Sequence, residues 1–158
     1  MNLSPNDGRA RLEVLASQVE AEANHLFPRG RHFDLVGFSM GGVVGRYYLQ
    51  RLGGRRRVGR FVSLSAPHHG TFWARMASGP GCKQLRPDSP FLQDLNSDSI
   101  GLAGVRTTSI WTPFDLMVLP AGSSRLPGAH NESLPILIHP LMVRQESALA
   151  RVAAALSE

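Results

Sequence analysis

The stretch "FDLVGFSMGGVVGRYYL" constrains this chain more than any other, because an apolar run enters a Gly-x-Ser-x-Gly and a helical pattern leaves it. The pentapeptide alone carries little weight, since chance supplies one in roughly one chain in seven of this composition. Its setting is what matters. A continuous apolar segment over 33–38 is the kind of strand buried on both faces of a parallel sheet. A sharp strand-to-helix turn after it would hold Ser39 in a strained conformation with its hydroxyl exposed. Gly37 and Gly41 have no Cβ, which permits the close approach of the positions two before and two after the serine. The helix starting at Met40 turns its free N–H groups toward Ser39, so the Met40 N–H is the natural oxyanion donor.

The rest of the chain supplies a frame for that turn. Leu12, Leu15, Val19, Ala23 and Leu26 recur at helical spacing, predicting an amphipathic helix over 5–26 with Ser4 or Asp7 as its cap. Helix is expected over 40–52 and 142–157, and strands over 60–66, 104–112 and 133–139, the last from "SLPILIH". Strands alternating with helices argue for an α/β fold with about four mainly parallel strands and flanking helices. Residues 67–103 are rich in Pro, Gly, Ser and Asp, with short helices expected near 72–78 and 90–96. No repeat or linker divides the chain, so one domain over 1–158 is expected.

A serine hydroxyl needs a neighbouring base, and that base an orienting acid. In parallel α/β sheets such groups sit on loops leaving the carboxyl ends of strands. Asp115 follows the third expected strand in "SIWTPFDLMVLP", and His139 closes the fourth in "PILIHPLM". His130, in the polar "GAHNES", competes with His139, and Glu132 is an alternative acid. His68 and His69 end the second strand on the same edge as Ser39, where they line or brace the site, with a base role for one of them left open. His25 and His32 precede the serine and read as structural or exposed. Asp34, Asp88, Asp94 and Asp98 read as surface or capping residues. Phe38, Met40, Phe72 and Trp73, with His68 and His69, are the candidates for a substrate pocket.

Composition sets limits on the remaining classes. The net charge of +5 comes mainly from arginine, five of them in "RLGGRRRVGR", but no aromatic-basic interleaving accompanies the run, so a solvated loop rather than a nucleic-acid site is expected. Cys82 is the only cysteine, which excludes an intrachain disulfide, and no Cys/His cluster points to a metal; no cofactor is implied. No apolar stretch reaches the roughly 18 residues of a transmembrane helix. The N-terminus lacks the layout of a signal peptide, so cytoplasmic location is the default expectation.

Taken in order, these segments resemble the bacterial lipase and esterase branch of the α/β-hydrolases. "VGFSMGG" is similar to that family's nucleophile elbow, and "LSAPHHGT" to the segment after the next strand. "QLRPDSPFLQDLN" resembles the stretch that follows, "TSIWTPFDLMVLP" the strand and loop carrying the acid, and "IHPLMVRQESALARVAAAL" the ending with histidine and last helix. The resemblance implies Ser39 as nucleophile, Asp115 as acid and His139 as base in the hydrolysis of a small-molecule or lipid ester. An acyltransferase or thioesterase with the same three residues is the alternative, as is a non-catalytic interaction protein. Family members carry several further strands before the elbow, one of which ends in a loop supplying a second oxyanion donor. The resemblance therefore implies an N-terminally truncated domain, an edge position for 33–38 with self-association through it, and a rate lower by on the order of 10²- to 10³-fold.

Overall fold

The computed structural model describes residues 1–98 and 100–157. Four parallel strands, β1 (Phe33–Phe38), β2 (Val58–Leu64), β3 (Arg106–Trp111) and β4 (His130–Ser133), form one sheet in the order β1-β2-β3-β4. Helix α1 (Leu12–Leu26) and helix α2 (Met40–Arg51) pack together, α2 against β1, while the last helix, α5 (Glu146–Ser157), contacts β2 and β3. Alternation along β2 feeds two cores. Phe61 joins Val43, Val44 and Leu49 of α2 and Leu12 and Leu15 of α1, whereas Val62 and Leu64 join Ile110, Met142 and Ala148. Covered on both faces, β2 buries Phe61, Val62, Ser63 and Leu64 in succession.

Helix α1 starts later than its periodicity suggests, and neither Ser4 nor Asp7 caps it. Gly8 takes φ 82°, a left-handed conformation that interrupts any helix running from residue 5. Asp7 accepts the Arg9 N–H instead, and the Leu12 N–H donates to Gln84 Oε1 at 2.8 Å. That glutamine ends α3 (Pro80–Gln84), a short helix the sequence pattern did not reveal. Helix α4 (Pro90–Ser97) lies where a short helix was expected, with the Ser89 hydroxyl accepting the Leu92 N–H as its cap. The segment near 72–78 is a 3-10 turn, Phe72–Arg75.

Strand limits follow local backbone chemistry. β2 stops at Leu64 because Ser65 adopts φ 42°, and β3 starts after Gly104 at φ 85°. The largest departure concerns the fourth strand, which is His130–Ser133 and not 133–139. The Leu134 N–H makes the final bond to the Trp111 carbonyl, Pro135 has no N–H to give, and the Ile136 N–H turns back to the Leu134 carbonyl. His139–Val143 then forms a 3-10 turn ahead of α5, so helix begins at 146 and not 142.

The edge position of 33–38 holds. Among the described residues β1 pairs only with β2, and Val36 is 44% exposed on it despite an apolar composition suited to a covered strand. The arginine run is largely spent on local structure: Arg57 donates to the Ala23 and Phe27 carbonyls at the end of α1, Arg60 pairs with Asp34, and Arg51 holds Asp94 and Asp98 on and beside α4. Among the described residues no helix is long and apolar enough to cross a membrane.

Candidate active site

Ser39 stands between β1 and α2 with φ 52° and ψ −127°, a conformation that a non-glycine residue adopts only when its surroundings impose it. Those surroundings are visible. Its N–H is held by the Leu64 carbonyl at 2.8 Å, and its carbonyl by the Gly42 N–H at 3.0 Å. A Cβ on Gly37 would lie 2.7 Å from the Gly41 carbonyl oxygen and 2.7 Å from the Gly42 Cα. One expectation changes here: a Cβ on Gly41 would meet nothing within 4 Å, while one on Gly42 would lie 2.5 Å from the Ala66 Cβ. The elbow therefore needs glycine at 37 and 42, and the Gly-Gly doublet was the available signal. Met40 is the first residue of α2, where N–H groups have no intrahelical acceptor.

Asp115 and His139 come together although 24 residues separate them. The His139 Nδ1–H donates to Asp115 Oδ2 at 2.7 Å, with Asp115 2% and His139 7% exposed. The other carboxylate oxygen, Oδ1, accepts the Met117 N–H at 2.8 Å and the Val118 N–H at 2.9 Å. Burial alone would raise the Asp115 carboxyl; the His139 bond and these two N–H groups outweigh it and hold the carboxyl below its ordinary value. With Nδ1 donating, the neutral imidazole presents Nε2 as an acceptor. The His139 ring lies 4.7 Å from that of Phe38, the residue just before Ser39.

His68 and His69 do not share this site. His68 is wholly buried, and a chain of hydroxyls explains it: Ser109 donates to the Ser124 carbonyl at 2.6 Å and Ser63 to Ser109 at 3.2 Å, so Ser63 accepts the His68 Nε2–H at 3.0 Å. It braces β2 to β3 as a neutral imidazole, its proton affinity driven well down by burial with Arg46 and His69 close by. His69 faces a separate cleft of about 320 Å³, where it contacts Asn96 beside the buried Arg46. Arg46 bonds Asn96 and the Leu95 carbonyl, and desolvation lowers it to about 10. His130 opens β4 opposite Thr108, and Glu132 pairs with Arg151, so neither belongs with Asp115.

Of the expected pocket residues, Phe38 and Met40 line the groove that contains Ser39. This groove, about 510 Å³, runs along the free edge of β1 between Val19, Leu35, Val36, Phe38 and Met40. Phe72 and Trp73 are instead exposed, as are Leu116 and Met117 just after Asp115 and Leu137 and Ile138 just before His139.

Parallel strands, a strained serine at a strand-to-helix turn and a buried carboxylate–imidazole pair on later loops define an α/β-hydrolase fold of the lipase and esterase kind. The sequence model of the palmitoyl protein thioesterase family matches residues 6–114, and the chain belongs to that family. No curated protein matches the chain. Among solved structures, a lipase B from Aspergillus fumigatus superposes with a TM-score of 0.82 at 22% identity, covering 98% of this chain. A monoacylglycerol lipase from Paleococcus ferrophilus gives 0.66 at 12% identity over 96% of this chain and 76% of its own. A mature lipase from Bacillus licheniformis gives 0.63 at 16%, over 90% of this chain and 74% of its own. The chain spans 44% of the length of the Aspergillus lipase.

Proposed function

We propose that this chain hydrolyses carboxylic esters of lipid-like acyl groups, thioesters included, through an acyl-enzyme on Ser39. The observation that carries this reading is the buried Asp115–His139 bond set against Phe38, at the mouth of a strained serine turn. His139 Nε2 takes the Ser39 proton as the hydroxyl attacks the acyl carbonyl. The Met40 N–H stabilises the resulting oxyanion, and Asp115 holds the imidazole tautomer. His139 then returns the proton to the leaving alcohol or thiol and activates water for deacylation. The family match supports thioesters as substrates. Transfer to another acceptor would use the same steps with water replaced.

A fluorophosphonate ester, which phosphonylates activated serines, tests this directly. A single adduct is expected on Ser39 by peptide mass analysis, absent in Ser39→Ala and in His139→Ala and retained in His130→Ala. Equal nitrophenyl-ester turnover by the native chain and Ser39→Ala would overturn the reading.

The free edge of β1 favours one association. We propose that β1 pairs with a second copy of the chain, because its unpaired backbone and the exposed Val36 form a template for strand addition. Sedimentation should show dimers that Val36→Lys converts to monomers. A monodisperse monomer of the native chain at micromolar concentration would sink this idea.

A further inference from the structure

The turn that carries Asp115 is tied to the loop after β2 at four points. The Thr71 hydroxyl donates to the Met117 carbonyl at 2.9 Å and accepts the Leu119 N–H at 3.0 Å. The Phe72 N–H donates to the Leu119 carbonyl at 2.9 Å, and the Trp73 indole N–H to the Leu116 carbonyl at 2.5 Å. Thr71 is 8% exposed and its own N–H is held by the Leu85 carbonyl. Meanwhile Met117 and Val118 are the residues whose N–H groups hold Asp115 Oδ1. The peptide units that orient the carboxylate are thus the ones fastened from outside by residues 71–73.

We propose that Thr71, assisted by Trp73, is a positioning residue that sets the orientation of Asp115 and, through it, of His139. The inference rests on reading Asp115 and His139 as acid and base. A hydroxyl is suited to the task because it gives its one proton to Met117 and a lone pair to Leu119 at once. A methyl in its place would leave a carbonyl and an N–H of the same turn without partners. The turn would then relax toward other acceptors, and the carboxylate would move with it. Serine keeps both bonds. The Trp73 contact acts at the other end of the turn, where its loss frees only the Leu116 carbonyl.

The test compares Thr71→Val, Thr71→Ser and Trp73→Phe by two readouts. One is kcat and KM on a soluble nitrophenyl ester; the other is the downfield proton resonance of His139 Nδ1–H in the resting protein, which requires no turnover. Thr71→Val should lower kcat on the order of 10- to 100-fold with KM within about twofold, and should shift or broaden the Nδ1–H resonance. Thr71→Ser should restore both, and Trp73→Phe should fall between them. If Thr71→Val does not fold, Trp73→Phe carries the test alone: a changed resonance with kcat reduced supports the clamp, and an unchanged one overturns it. Native kcat and resonance in Thr71→Val, equal loss in Thr71→Ser, or no such resonance in the native protein would each overturn the proposal. A resonance that responds as expected in a chain that turns over no ester or thioester would leave the clamp standing and remove the hydrolase reading.

Discussion

Asp115→Asn should lower kcat by about 10⁴-fold while leaving the fold intact. The direction follows from which oxygen does what. Oδ1 accepts two backbone N–H groups, from Met117 and Val118, so the amide NH₂ of asparagine cannot occupy that position without setting donors against donors. The NH₂ must therefore take the place of Oδ2, facing His139 Nδ1. There it donates to Nδ1 and forces the ring proton onto Nε2, the nitrogen that has to receive the Ser39 proton. A base becomes a donor with almost no change in shape. Single-turnover acylation by a nitrophenyl ester, with circular dichroism to confirm the fold, measures this; a loss smaller than tenfold would show that Asp115 does not set the tautomer.

The same carboxylate has a pH signature of definite sign. Its folded-state value lies below the ordinary one, so its contribution to stability is present above the unfolded value of about 3.9 and is lost as pH falls through the folded value.

How much of this was legible in the sequence depended on the range over which each cause acts. The β1–Ser39–α2 unit was readable because its apolar run, its glycines and its helical pattern are contiguous. Asp115 and His139 were readable as residues of loops beyond later strands, although the fourth strand ends at Ser133 and not at His139. The start of α1 was not, because its first N–H is satisfied by Gln84, 72 residues away. The fourth strand was misplaced for a similar reason. "HNES" has no apolar pattern to reveal it, and Asn131 is fixed by bonds to the Leu126 N–H and carbonyl and to the Ala129 carbonyl. The apolar "LPIL" nearby drew the assignment, yet Ile136 is buried from a turn and not from a strand. His68 and His69 are adjacent in sequence and face different surroundings, because Ser63 captures one ring and Asn96 the other. Side-chain direction after a strand end is decided by such partners.

Gly37→Ala and Gly41→Ala should part sharply, although both glycines belong to one pentapeptide. At Gly37 an added Cβ would sit 2.7 Å from a backbone oxygen and a Cα, and 2.8 Å from the Gly42 nitrogen. None of these is the end of a flexible side chain. Relief requires the first turn of α2 to move off β1, which would release the Ser39 conformation and the contacts of Val43 and Val44 with the core. A cost of about 3 kcal/mol or more, with loss of Ser39 labelling, is expected. At Gly41 the added methyl enters open space inside helix α2, where alanine is favoured over glycine by up to about 1 kcal/mol. Urea unfolding midpoints for the two variants decide the matter. Gly37→Ala should unfold at much lower denaturant than the native chain, and Gly41→Ala at an equal or slightly higher concentration. Equal midpoints for the two variants would mean that close packing of α2 on β1 is not what keeps Ser39 in its strained conformation.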